Sequence, residues 1–321
     1  MTAAPDADAG QAPPGRRRRR PGRPRWPRAA LAVLVLLLLA IGTDAAVLTG
    51  RVGEVAVDLS ADDSDGRTWV LVGLDSRAAL PDGADVGDFG TPEDVPGSRA
   101  DVVVVVHRTD AGTTLLSVPR DVVAGTGRLA LSWLDGPAAT VAALCELGIP
   151  ADHLVTVDLA GFAALVDAVG GVEVDVPAPV RDRPAGLLVE HAGRRTVDGA
   201  TALALVRSRH PEHRVAGTWT PAPADPDGRA TTAAAVLTGL VSQVRGSAAV
   251  PWRLQSVAWT ASGALAVDPG TSVPDLVDLA RADVGTVEVL PAGDPLGGTL
   301  ARLPTDATAA AVAAAGLSCR R

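Results

Sequence analysis

One stretch constrains this chain before anything else does. From Ala29 to Thr43 the residues AALAVLVLLLLAIGT carry no charge, and the apolar character continues past Asp44 to Leu48. About 20 such residues span a bilayer as a helix. The segment ahead of them holds eight arginines, including the run Arg16 to Arg20, among many prolines, glycines and alanines. The positive-inside rule keeps such a tail in the cytoplasm. The expected organisation is a disordered basic tail (1–28), a transmembrane helix (29–48), a polar linker (49–66) and one extracytoplasmic domain (67–321). A cleaved signal segment is the competing reading, because the uncharged core is only 15 residues long and small residues surround Ala45. Both readings export the domain.

Export changes what the composition means. Taking the tail's eight arginines and two aspartates away from the formal −8 leaves the rest of the chain at about −14. So acidic a domain lacks the basic face that a phosphate backbone needs, which excludes nucleic acid as a partner. All 29 basic residues are arginine, with no lysine and no tyrosine anywhere. The choice of arginine at one position therefore signals nothing by itself; clustering does. Cys145 and Cys319 form an even pair, which outside the cytoplasm reads as a disulfide tying the C-terminus to the body. Two buried free thiols are the alternative. The five histidines form no ligand set, and no zinc-type spacing occurs.

Past the linker, short apolar runs bounded by turn residues predict strands at Arg67 to Asp75, Ala100 to Arg108 and Thr113 to Pro119, the last two joined as a hairpin through Thr109-Asp110-Ala111-Gly112. A helix is predicted over Pro137 to Gly148. Strand, helix and strand follow at His153 to Leu159, Gly161 to Gly170 and Gly171 to Pro177. A helix opening at Asp198-Gly199-Ala200 ends at LVRSRHPEHR, with Pro211 as its stop. Gly217 to Gly228 reads as a proline-rich loop. Arg229 to Arg245 repeats Val236, Leu237, Leu240, Val241 and Val244 at helical spacing, one buried stripe. A helix near Asp275 to Ala282, a strand at Thr286 to Pro291 and an alanine-rich helix complete the chain. This alternation predicts an α/β fold with a mixed central sheet flanked by helices.

Three strand ends each carry an arginine beside an aspartate: Asp75 and Arg77 in GLDSR, Arg99 and Asp101 in SRAD, Arg120 and Asp121 in SVPRD. Local salt bridges and turn caps account for most such pairs. Three together, with Arg207, Arg209 and Arg229 further on, point to a shared anionic ligand, since arginines gathered without one repel each other. Several guanidinium forks with two carboxylates suit a pyrophosphate and a divalent cation, the forks on phosphate oxygens and the carboxylates on the metal.

The ordered set GLDSR, SRAD, SVPRD, DHLVTVDLAGFAALVDAVGGVEV, VDGATALALVRSR and DGR, after a single hydrophobic segment, resembles the LytR-CpsA-Psr family of bacterial cell-wall proteins. The resemblance runs from about Thr68 to at least Arg245. It implies an α/β domain with a largely hydrophobic groove for a polyprenyl chain and Mg²⁺ at the pyrophosphate. It also implies transfer of a glycopolymer from a polyprenyl-pyrophosphate carrier to peptidoglycan through a phosphodiester, which the hydrophobic segment places at a cell membrane; with the high alanine and the lack of lysine it points to a high-GC actinobacterium. By motif, Asp75 and Asp101 correspond to the metal-linked carboxylates, and Arg99, Arg120, Arg207, Arg209 and Arg229 to the phosphate-binding arginines, with Arg77 as a helper. Asp75, Asp101 and Arg120 are the expected catalytic residues. Two departures stand out. Arg128-Leu129-Ala130 occupies the place of a lysine-x-asparagine element, and Thr232 and Ala233 replace a further arginine and a glutamine. These departures leave open a binding protein that holds the lipid-linked glycan without transferring it; a pyrophosphatase that keeps the site and uses water as acceptor is a further alternative.

Overall fold

The computed structural model describes residues 26–59, 65–81, 83–84, 86–223, 225, 227–283, 285 and 287–319. The expected basic tail falls outside them up to residue 25. Helix α1, Trp26–Arg51, starts at the tail's edge, and its Val33–Arg51 portion is long and apolar enough to cross a bilayer. Its apolar side chains from Val33 to Leu39, and Ile41, are exposed. By compactness the chain divides at Ala46/Val47, and the remainder, 47–321, forms the second unit.

The stretch expected as a polar linker, 49–66, carries regular structure in its first half. Strand β1, Gly53–Glu54, joins the main sheet, and Val55, Val57 and Leu59 pack against the core. These alternate apolar residues are the reason: a strand period of two puts them on one face. Arg51 is fixed just ahead of β1, with its guanidinium 3.9 Å over the Trp259 ring and its Nε donating to Ser262 Oγ at 3.2 Å.

The centre is the predicted set of strands. β2 (Arg67–Leu74), β3 (Ala100–Thr109) and β4 (Gly112–Val118) follow one another, with the short helix α2 (Val86–Phe89) between the first two. β3 and β4 form the expected hairpin. Small strands β5 (Val123–Ala124) and β6 (Gly127–Arg128) lead into helices α3 (Leu129–Ser132) and α4 (Pro137–Glu146), then β7 (His153–Val157) and α5 (Leu159–Ala168). β2 is continuously apolar because both faces are covered. Val70 and Val72 look into a core completed by Val141 and Leu144 of α4, while Trp69 looks into a second core that holds Val106, Leu115 and Ala282.

A third core lies beside the sheet. Strand β8 (Val172–Val176) pairs not with the main sheet but with β11 (Gly193–Val197). Between them run β9 (Val180–Asp182) and β10 (Leu187–Val189). Helix α6 (Gly199–Arg207) then crosses α5 so closely that a Cβ on Gly199 would sit 2.2 Å from the Ala163 carbonyl oxygen, a place only glycine fills. Next comes a correction: the expected loop over 217–228 begins as strand β13 (Thr218–Pro221), which pairs with β12 (Glu212–Val215) and extends β10-β9 to four strands. Threonine and tryptophan favour the pleat, and Pro221 sits at its end, where its missing donor is harmless.

Helix α7 (Gly228–Ser247) buries Val236 and Leu240 of the predicted stripe. α8 (Pro251–Ala264), β14 (Leu265–Val267), α9 (Val273–Arg281), β15 (Glu288–Val289) and α10 (Asp306–Ala314) finish the fold. The main sheet runs β1-β14-β7-β2-β3-β4-β15 with parallel and antiparallel pairs, a mixed sheet as expected.

Cys145 on α4 and Cys319 are joined as a disulfide with Cα atoms 5.3 Å apart, closing 174 residues. Of the two readings left open for these cysteines, the structure has the cross-link. Replacing both with serine is expected to cost about 2–5 kcal/mol. Urea unfolding of the double variant against the oxidised parent checks this, and coincident curves would refute it.

Candidate functional site

The backbone itself aims the two central carboxylates. Gly73 pairs with Val102 and Leu74 with Ala100, so Asp101 is the extra residue of a β-bulge between β2 and β3. A bulge bends the strand and redirects a side chain, often beside active sites. Arg99 staples the bulge, its carbonyl accepting from Asp75 N at 3.1 Å and Asp101 N at 3.0 Å, its own N–H donating to Asp75 Oδ1 at 2.6 Å.

Around Asp75, which is only 5% exposed, stand Arg77 at 3.1 Å and Arg99 at 3.8 Å. Arg77 also donates to the Asp75 carbonyl at 2.6 Å and to the Phe89 carbonyl at 2.8 Å. The Phe89 ring lies 3.8 Å beneath the Arg207 guanidinium. Arg207 is thus gathered onto the Asp75 side through an aromatic ring. Phe89 carries no charge and sits outside every quoted motif, so nothing in the sequence marks it.

Asp101 gathers the rest. Its Oδ1 accepts from Arg120, and its Oδ2 lies 3.5 Å from Arg209 and 3.6 Å from Arg229. Arg120 follows β4, Arg209 follows α6 and Arg229 is the second residue of α7, so four separate parts of the chain meet at one carboxylate. Beside it, Asp121 lies 3.7 Å from Arg120 and 2.9 Å from Arg128. All eight sequence-predicted residues are therefore placed in two adjoining clusters: Asp75, Arg77, Arg99 and Arg207 in one, Asp101, Arg120, Arg209 and Arg229 in the other.

Cations outnumber anions here, and Arg229 is both buried and crowded by them. Burial, then the neighbouring charge of Arg120, lowers its pKa to about 10, with Arg209 adding to the shift against the opposing pull of Asp101. It remains protonated at neutral pH. Arg99 Nη1, Arg120 Nε and Arg229 Nε are buried with no hydrogen-bond partner. Buried donors of this kind are expensive unless something accepts from them, so the cluster is built for an anion. The adjoining cleft, about 40 Å³, has Asp101, Ser117, Arg120 and Arg229 on its polar side and Val103, Val118, Val206 and Ala233 behind.

The two sequence departures have structural counterparts. Ala130 is fully buried, and its N–H donates to the Arg120 carbonyl at 2.8 Å. Thr232 turns its hydroxyl back to the Gly228 carbonyl at 2.8 Å, and Ala233 is buried against the cleft. None of the three presents a polar side-chain atom to the arginines.

A second buried carboxylate holds the loop that bears Arg209. Asp182 Oδ2 accepts from Ser208 Oγ at 2.8 Å and from the N–H groups of Arg209 and His210 at 2.7 Å each. Burial by itself would raise the Asp182 pKa; the donations from His210, Ser208 and Arg209 outweigh it and hold the carboxyl below its ordinary value. Motif reading missed this residue, although a lone acid between Arg181 and Arg183 in an extended segment is a usable signal.

The model of the LytR_cpsA_psr family matches residues 43–286. A probable cell wall biosynthesis protein, LcpB of Corynebacterium glutamicum, is 40% identical over 152 residues, 45% of this chain and 36% of that protein. A polyisoprenyl-teichoic acid–peptidoglycan teichoic acid transferase, TagU of Halalkalibacterium halodurans, is 32% identical over 132 residues, 38% of each. The matches thus span well under half the length of these curated relatives. Among solved structures, a LytR-Csp2A-Psr enzyme from Actinomyces oris superposes with a TM-score of 0.69 at 34% identity, over 84% of this chain and 97% of that one.

Because the folded-state pKa of Asp182 is depressed, its contribution to stability is full above the unfolded carboxyl value near 4 and fades as pH falls through the folded value. Asp182→Asn is expected to lower stability by about 1–3 kcal/mol at pH 7. The gap from the parent should narrow towards pH 3. Denaturant titration at the two pH values measures it, and a gap that widens in acid would contradict the assignment.

Proposed function

The chain belongs to the LytR_cpsA_psr family, and we propose that it is a membrane-anchored phosphotransferase that moves a glycopolymer from a polyprenyl-pyrophosphate carrier onto peptidoglycan. The observation that carries this reading is the convergence of Arg120, Arg209 and Arg229 on Asp101, with buried guanidinium donors left to be satisfied. The names of LcpB and TagU, a cell wall biosynthesis protein and a teichoic acid transferase, support it. Helix α1 would anchor the chain by a single pass with the arginine-rich tail in the cytoplasm, so that the site stands on the outer side, where peptidoglycan is.

In the proposed reaction a sugar hydroxyl oxygen of peptidoglycan attacks the phosphorus nearest the glycopolymer. The new P–O bond forms as the bond to the bridging oxygen breaks, and polyprenyl phosphate leaves. Arg120, Arg209 and Arg229 hold the pyrophosphate in line and offset the charge that grows on the leaving phosphate. Electrostatic positioning of this kind is most of what a protein contributes to phosphoryl transfer. In this scheme one of the two site aspartates, Asp75 or Asp101, takes the hydroxyl proton.

Among the described residues no group of three or more His, Cys, Asp or Glu gathers as a metal cage. Two carboxylates at a phosphate site nevertheless fit Mg²⁺, which is commonly held by one or two carboxylates with phosphate oxygens and water completing its shell. Asp75 and Asp101 would hold it, and when bound it supplies a hard Lewis acid to the pyrophosphate oxygens.

The test is incubation of the full chain with a short lipid-linked glycan, Mg²⁺ and peptidoglycan fragments. A glycan–peptidoglycan phosphodiester is the expected product. An intact complex would instead mark a binding protein, the reading favoured by the apolar settings of Ala130 and Ala233, and free phosphorylated glycan would mark a pyrophosphatase. Arg120→Ala and Arg209→Ala should each lower the transfer rate at least about tenfold, since loss of one charge-stabilising donor typically costs about 10²–10³. Transfer by both variants at the parent's rate would remove these residues from the mechanism. Chelation of divalent cations should abolish transfer and added Mg²⁺ restore it; transfer that persists in chelator would dismiss the metal.

A further inference from the structure

The small four-stranded sheet carries a second site, and its register builds it. On β9, Asp182 points inward to the loop that bears Arg209, so Arg181 on the same strand faces the other way. Arg181 lies opposite Leu188 of β10 and opposite Glu212 of β12. Two residues on along β12, hence on the same face, Arg214 lies opposite Trp219 of β13. These five side chains therefore share one face.

They make a cleft with both apolar and cationic character. The guanidinium of Arg181 is 4.8 Å from the Trp219 ring centroid and that of Arg214 is 6.0 Å from it. Arg181 Nε donates to Glu212 Oε2 at 2.5 Å, which fixes it in place. Leu188 is 58% exposed, though it is a leucine in a strand. A cavity of about 400 Å³ opens between them, with Arg183 and Glu190 also on its wall. That volume is in the range of small-ligand sites.

Three arginines face two glutamates here, in a domain whose overall charge is strongly negative. An anion is therefore drawn to this face rather than to its surroundings. The aromatic ring and the exposed leucine ask for an apolar face on the same ligand, and the guanidinium forks ask for phosphate or carboxylate oxygens. An anionic sugar chain has both, C–H faces on its rings and an acidic group at each repeat. The cleft lies back to back with Asp182, and through it with Arg209, so it flanks the phosphate cluster.

We propose that the cleft walled by Arg181, Arg183, Leu188, Arg214 and Trp219 binds an anionic sugar chain next to the reacting phosphate. This deepens the transfer reading and rests on it for the supposition that the chain handled is a glycopolymer. Two sources share the chemistry, the polymer of the donor and the peptide-bearing glycan of the acceptor.

The experiment uses the full chain in detergent micelles and three labelled probes: a phosphodiester-linked oligosaccharide, a peptidoglycan glycan fragment with its acidic peptides, and neutral dextran. Trp219→Ala and, on the exposed strand face, Arg214→Ala are each expected to weaken binding of at least one anionic probe about tenfold. Loss confined to the phosphodiester-linked oligosaccharide assigns the cleft to the donor; loss confined to the peptidoglycan probe assigns it to the acceptor. In transfer assays the same variants should raise KM for the substrate whose probe lost affinity, the long polymer or the peptidoglycan acceptor, more than they lower kcat. Thermal melting confirms that each variant is folded, and Trp219→Phe should keep most of the affinity. Unchanged binding of both anionic probes in both folded variants, or an equal loss for dextran, overturns the proposal. If no protein transfers glycan while the variants still lose anionic-probe binding, the transferase reading fails and the cleft stands.

Discussion

Three guanidinium groups reach one carboxylate at this site, and the structure around them is arranged so that this crowding persists in the folded protein. Asp101 touches Arg120, Arg209 and Arg229, and it cannot neutralise all three. Burial, and after it the charge of Arg120, lowers the pKa of Arg229 to about 10. An isolated exposed arginine would show no such effect. Positive charges held together at a cost, with their donors turned inward, raise the affinity for any anion that relieves them. The same preorganisation favours a transition state in which negative charge moves onto a leaving phosphate, because the dipoles and charges need not rearrange as it develops.

Holding that cluster is the task of backbone groups and of side chains around it. The bulge at Asp101 breaks the β2–β3 register by one residue, which would weaken an ordinary strand pair. Arg99 repairs it by turning its own carbonyl and N–H onto the two aspartates. Asp182 performs the corresponding work on the other side, taking three donors from the loop after α6. Arg302 fixes the approach to α7: it is buried, bonded to the carbonyls of Ala292 and Gly293, and its Nη1 donates to Asp227 at 2.6 Å. At α6, the cap from Asp198 to the Thr201 N–H and the close crossing at Gly199 set where the helix ends, and so where Arg207 and Arg209 begin. The site is a surface feature whose geometry is decided beneath the surface.

How much of this was legible in the sequence depends on the kind of signal involved. β2, β3, β4 and β7 were legible because apolar runs bounded by turns are local, and the arginine and aspartate positions because their spacing relative to strand ends is local too. The division of the arginines between Asp75 and Asp101 was not. It depends on the bulge, which shows only in the pairing of two strands, and on Phe89, which has no charge to betray it. β13 was read as loop because prolines dominate Gly217 to Gly228, whereas the alternation of Thr218, Trp219 and Thr220 opposite His213 and Arg214 becomes visible only once β12 lies beside it. β1 was hidden for a similar reason: two residues joined to a distant β14 leave no periodic trace. Arg302 and Asp182 are single residues whose meaning is purely tertiary.

The placement of the β12–β13 hairpin bears on how such a site can diversify. It lies in sequence between Arg209 and Arg229, two of the three arginines on Asp101, so a change in its length or composition is flanked on both sides by phosphate chemistry. Each flank is clamped independently, Arg209 by its N–H on Asp182 and the start of α7 by Asp227 on Arg302. The hairpin can therefore vary while both arginines stay where they are. Strand alternation makes the separation sharper still: on β9 the inward residue serves the cluster, and its outward neighbours are free to face whatever lies outside. On the proposed reading, a fold built this way would keep one reaction constant and let the adjoining surface answer to different polymers, phosphate positioning on one face of β9 and chain selection on the other.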